Sequence, residues 1–203
     1  MCGFVGFWGS HSFKNYDLEN TAKKMAAEIA FRGPDSTGCW VDAREKLALA
    51  HQRLSILDVS PKGAQPMVSS LGRYITIYNG EIYNAPELRS ELIELGYTFR
   101  GTSDTEVLLA CIEEWGLASA VRRFIGMFAF AVWDREQRVL ALVRDRLGIK
   151  PLYHGKIGRT LFFGSQLRAF WPHPEWQGEL NLQALESYFH LHYIPAPLSI
   201  FQN

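Results

Sequence analysis

Residues 126–133 read GMFAFAVW, apolar at every position. A strand with one wet face alternates apolar and polar side chains, so an unbroken apolar run of this length implies burial on both faces. The polar stretch 135–138 follows, then a second apolar run, 139–143, and together they spell a β-hairpin. Hairpins are antiparallel, and an antiparallel sheet with two dry faces is most simply covered by a second sheet on one side and helices on the other. The expected fold is α+β, a four-layer αββα sandwich of two antiparallel sheets between helical layers. Residues 3–8, GFVGFW, behave the same way. Ala129 and Ala131, set between Phe128, Phe130 and Val132, predict one face that packs more closely than the other.

The rest of the pattern supplies the partners. Leu18, Ala22, Met25, Ala26 and Ile29 form one stripe at helical spacing, predicting a helix over 18–30. Short strands are expected over 39–41 and 47–51. Another is expected over 74–79, ending at the turn signal Asn79-Gly80. Asn84 with Glu87, and Ser103 with Glu106, mark two helix starts; these helices are expected to stop at Gly96 and Gly116. A second hairpin is expected around 156–159, and a last helix over 182–193. The domain is expected to occupy 1–193. The Pro-containing segment 194–203 reads as the start of a connection to a further domain.

With 203 residues, 47% of them apolar, the chain can bury a substantial core. Formal net charge is zero and no basic run exceeds two residues, so no nucleic-acid partner is expected. No apolar stretch approaches the roughly 18 residues of a membrane span, and no secretory signal is legible. Cys2, Cys39 and Cys111 are odd in number and far apart, which favours a reducing, cytoplasmic setting over disulfides or a zinc site. The histidines lack metal spacing, and neither GxGxxG nor GxxxxGK is present. No metal or cofactor is expected in this segment.

Cys2 follows the initiator Met1. As one cysteine among three it reads first as a small buried residue at a strand start. Removal of Met1 would place its thiol beside a free α-amine titrating near pH 8, able to take the thiol proton. Arg32 and Asp35, in RGPDSTG, read as loop residues that could order the surroundings of Cys2. Arg53, in HQRLSILD, stands at a strand end, where a guanidinium can grip a carboxylate through two parallel hydrogen bonds. Asn79-Gly80, in YNGEIYN, offers a side-chain amide and an unobstructed backbone N–H, the two donors of an oxyanion hole. Glu81 is a turn residue or a ligand for a cation. Asp104 suits a helix N-terminus and equally presents a fixed anion to a substrate ammonium. RDRLGIKPLYH, 144–154, reads as a structural link.

The ordered set MCGFVG, RGPDSTG, HQRLSILD, NGEIYN, SDTE, GMFAFAVWD and RDRLGIKPLY resembles the N-terminal glutaminase domain of glutamine-hydrolysing asparagine synthetases, class II glutamine amidotransferases among the N-terminal-nucleophile hydrolases. The resemblance spans nearly the whole chain and implies the same αββα fold. It implies that Cys2 attacks the side-chain amide of L-glutamine, with Asn79 and Gly80 holding the oxyanion. Arg53 would bind the α-carboxylate, with Leu54 and Ile56 nearby, and Glu81 and Asp104 would hold the α-ammonium. A γ-glutamyl thioester would yield glutamate and ammonia for an ATP-dependent amidation. ATP and magnesium would belong to a C-terminal synthetase domain of the same chain. Aspartate is the default acceptor; a surface polysaccharide carboxylate is an alternative, and a homodimer is left open. Rival readings are a silent glutamine-sensing or docking domain, and an amidase for a larger amide; Arg53, Asp104 and NGE argue against the latter.

Overall fold

In the computed structural model, which describes residues 1–9 and 17–202, the strands are β1 (Gly3–Trp8), β2 (Ser36–Asp42), β3 (Leu47–Arg53), β4 (Met67–Val68), β5 (Tyr74–Ile82), β6 (Gly126–Asp134), β7 (Val139–Arg144), β8 (Tyr153–Ile157) and β9 (Thr160–Gly164). The helices are α1 (Leu18–Ala27), α2 (Ala85–Glu94), α3 (Asp104–Trp115), α4 (Leu117–Arg123) and α5 (Leu182–Leu191). The strands form two antiparallel sheets, ordered β2-β3-β1-β9-β8 and β4-β5-β6-β7.

Three apolar layers hold the stack. Phe4, Leu49, Ile77, Ala129, Ala131 and Phe163 meet between the sheets. Phe128, Phe130 and Val132 face the other way, onto Leu92, Val107, Leu108 and Phe124 of the helical side. Val5, Phe7 and Phe162 pack on Met25, Ala26 and Ile29 at the opposite end of the stack. The continuous run in β6 is thus explained: its alanines fill the space between sheets and its large residues meet helices. Each fully buried phenylalanine side chain contributes about 2–3 kcal/mol of transfer free energy. No described helix is long and apolar enough to cross a membrane.

Several boundaries differ from the sequence expectation. Helix α1 ends at Ala27, and a 3-10 turn follows at Ala30–Arg32. Gly33 then lies so close to β3 that a Cβ there would meet Gln52 O at 2.3 Å; continued helix would carry the chain away from this contact. Strands β2 and β3 run longer than expected, because they pair from Ser36–Arg53 to Asp42–Leu47. The largest difference lies at Asn79-Gly80. The strand does not end there but continues to Ile82, paired opposite Gly126; ladder pairing with β6 overrides a local turn preference.

Asn84 does not cap α2 with its side chain. Its amide instead donates to Arg123 O and accepts from Ile125 N–H, tying α2 to the α4–β6 link. Ser103 does cap α3, accepting from Glu106 N–H at 3.3 Å, but the Glu106 carboxylate accepts from the N–H groups of Arg100 and Gly101 rather than closing the box. Helix α4 was not foreseen. Helix α5 stops at His192, which adopts a left-handed conformation. Beyond it the chain folds back, Leu180 bridging to Phe201. Asn203, the last residue of the expected connecting segment, lies outside the described residues.

Candidate active site

The start of β1, the end of β3, the free edge of β5 and the first turn of α3 converge on one cleft. Cys2, Arg53, Leu54, Ile56, Asn79, Gly80, Glu81 and Asp104 all line it. Arg32 and Asp35 stand behind it. Arg32 donates from Nε to Cys2 O at 3.0 Å, and burial lowers the guanidinium's affinity for its proton. Asp35 accepts from Ser55 N–H at 2.7 Å and so fixes the loop that leaves β3.

That loop holds the sulfur. Cys2 Sγ accepts from Leu54 N–H at 3.3 Å and donates to Leu54 O at 3.5 Å. The other two thiols are held protonated: burial pushes Cys39 up to about 11 and Cys111 up to about 12. Neither supplies much thiolate at neutral pH.

The edge of β5 explains what Asn79-Gly80 does. Phe128, opposite Gly80, spends its own N–H and C=O on Asp145, so it gives nothing to Gly80. The N–H groups of Tyr78 and Ile82 point off the same free edge, to Gln65 Oε1 at 2.6 Å and Asp104 Oδ2 at 3.1 Å. By the two-residue repeat of a strand, the Gly80 N–H points there too, and no acceptor among the described residues takes it. A side chain at 80 would be blocked, since its Cβ would sit 2.5 Å from Met127 O. Beside it, Asn79 is 2% exposed and its Nδ2 has no partner among the described residues. Asn79 and Gly80 thus bring two donors to the cleft that Cys2 also lines.

Charge is placed with equal care. Asp104 is buried, which raises its carboxyl, while Tyr78 OH at 2.6 Å and Ile82 N–H hold it partly down. Arg53 donates to Ser60 O at 2.9 Å and to Asp58 O, leaving the other three of its five N–H groups. Asp58 is pulled down to about 2 by Ser60 Oγ and Thr102 N–H. It braces the loop beneath Arg53. Among the described residues no cluster of three side chains suited to a metal exists.

Sequence reasoning missed four contributors. Gln65 bridges Tyr78 N–H and Thr105 Oγ1. Tyr78 holds Asp104. His51 Nε2 lies 3.0 Å from Tyr78 O, so that nitrogen carries the proton, and burial lowers the ring to about 4. Lys150, in a segment read as structural, lines the cleft. No local pattern marks the first three; their roles come from contacts across the two sheets. Lys150 carried one signal, a charged residue beside buried strands.

A family described as glutamine amidotransferase domain matches residues 1–203. An asparagine synthetase [glutamine-hydrolyzing] of Bacillus subtilis strain 168 is 40% identical over 201 residues, 98% of this chain and 31% of the relative. A Gibberella zeae protein named amidase chry2 is 35% identical over 188 residues, 87% of this chain and 28% of the relative. The chain thus spans about a third of the length of the curated relatives it matches. The structure of a B. subtilis glutamine phosphoribosylpyrophosphate amidotransferase, complexed with ADP and GMP, superposes with a TM-score of 0.70 at 20% identity, over 89% of this chain and 45% of that one. It shares the fold.

Proposed function

The chain belongs to the glutamine amidotransferase family, and on that premise we propose that its cleft hydrolyses L-glutamine to glutamate and ammonia through a thioester on Cys2. The observation that carries this reading is the buried Asn79 Nδ2, without a partner among the described residues, in the same cleft as Cys2 and next to a Gly80 N–H aimed at the free edge of β5. In this structure the Cys2 nitrogen is still an amide to Met1, so the mechanism needs Met1 removed. The thiol proton then passes to the new α-amine as Sγ attacks the side-chain amide carbon. The oxyanion is held by the Gly80 N–H and Asn79 Nδ2. As the C–N bond breaks, the protonated amine returns its proton to the leaving nitrogen and ammonia departs. Water adds to the thioester, glutamate leaves, and the thiol is restored.

Arg53 binds the substrate α-carboxylate with its remaining N–H groups, supported by Leu54 and Ile56. Asp104 and Glu81 take the α-ammonium. Arg32 and Asp35 act behind them, ordering Cys2 and its loop. We place the domain at 1–193, joined through 194–203 to a synthetase domain that uses ATP and magnesium to amidate a carboxylate, with aspartate as acceptor, in the cytoplasm. A different carboxylate acceptor is the second reading; a homodimer is compatible with either.

The test is ammonia release from glutamine by protein with verified Met1 excision, paired with mass spectrometry after a glutamine-mimicking electrophile. We expect hydrolysis and one adduct, on Cys2. An unmodified Cys2 sulfur would overturn the reading.

Asp104 gives a separate expectation. Sequence alone predicts that Asp104→Ala weakens glutamine binding without harming the fold. The structure changes the second half, because the substitution orphans Tyr78 OH and Ile82 N–H. We expect KM to rise by about 10–100-fold and stability to fall by about 1–3 kcal/mol. Steady-state kinetics and denaturant melts read the two effects; Asp104→Asn, which keeps an acceptor, should recover stability but not KM.

A further inference from the structure

Lys150 is 5% exposed and lines the cleft. Its loop is built to hold it there. The Asp145 carboxylate accepts from the N–H groups of Phe128, Leu147, Ile149 and Lys150. Arg144 closes the other side, donating to Lys150 O and Gly148 O, each at 2.6 Å. The Lys150 Nζ lies 3.3 Å from Met1 Sδ, a weak acceptor. It forms no ion pair with any described carboxylate. A buried ammonium without a counterion is costly, and this one touches the residue that masks the Cys2 amine.

We propose that Lys150 is a positioning residue whose ammonium faces the α-amine exposed on Cys2 by Met1 removal, keeping that amine unprotonated and able to take the thiol proton at neutral pH. The proposal rests on the reading of Cys2 as nucleophile and of its amine as base. A neighbouring positive charge disfavours a second one. The other charged or titratable groups around the amine are the Cys2 thiol itself, Arg32 on the Cys2 carbonyl, Arg53 at the end of β3, Asp58 in the following loop, Tyr78 and Glu81 on β5 and Asp104 on α3. Asp58 and Asp104 are engaged by Ser60, Thr102, Tyr78 and Ile82. Arg53 is turned onto two carbonyls. Glu81 opposes the effect, and its charge must be outweighed.

The test is the pH dependence of kcat/KM for glutamine in mature protein. Lys150→Met should move the acid limb up by about one pH unit, and Lys150→Arg should leave it in place. A limb at the wild-type pH in Lys150→Met, with only the amplitude reduced, would overturn the proposal. A second measurement needs no variant: NMR titration of the isotope-labelled α-amine in the unaltered mature protein. A midpoint below the ordinary range of about 7.7–8.0 supports the role of Lys150; one within or above it overturns that role. The electrophile adduct on Cys2 in the same samples separates the two ideas. An adduct with an unshifted limb removes Lys150 alone, whereas no adduct in wild type removes the underlying reading as well.

Discussion

Cys2→Ala abolishes ammonia release, a loss of at least ~10⁴-fold in kcat, while the protein still folds. The sulfur is the nucleophile in the proposed sequence, and water held by the same donors cannot replace a covalent intermediate. Stability should change little. The thiol's two contacts are both to the Leu54 backbone, at 3.3 and 3.5 Å, and sulfur is a weak donor and a weak acceptor. Ammonia-release assays with matched calorimetry check both halves. Cys39 and Cys111 cannot substitute, since burial keeps both protonated. Undiminished turnover in the variant would remove Cys2 from the chemistry.

Asn79→Ala lowers kcat by about 10²–10³-fold, with KM within a few-fold of wild type. In the free protein Nδ2 is buried and makes no hydrogen bond to a described residue, so its removal breaks none there. A donor engaged in structure would cost stability on truncation; this one is a buried N–H group whose desolvation is uncompensated until charge develops on substrate. We therefore expect a melting temperature unchanged or slightly raised alongside the kinetic loss. A large fall in melting temperature, or a loss confined to KM, would contradict the oxyanion role. The neighbouring Gly80 cannot be tested so cleanly, because a Cβ there would strike Met127 O and displace the strand.

The four layers were legible because hydrophobic burial is written residue by residue. GMFAFAVW announced two dry faces, and its alternation of alanine and phenylalanine announced which side would be thin. The candidate site residues came from a resemblance carried by ordered motifs, and one cleft gathers Cys2, Arg53, Asn79, Gly80, Glu81 and Asp104. The Asn79-Gly80 turn signal misled, because a local preference worth a fraction of a kcal/mol yields to a ladder running on to Ile82. Gln65, Tyr78, His51 and the aim of Lys150 left no pattern at all.

From sequence alone this chain was expected to stack two sheets between helices and to carry a cysteine next to Met1, since periodicity and residue type are local properties. Only the tertiary structure decided that the Gly80 amide faces an open edge, that Arg53 spends part of its guanidinium on its own loop, and that a lysine 149 residues from Met1 meets it in the cleft. Those outcomes depend on which strand ends and loops are brought together, and packing across the sheets sets that.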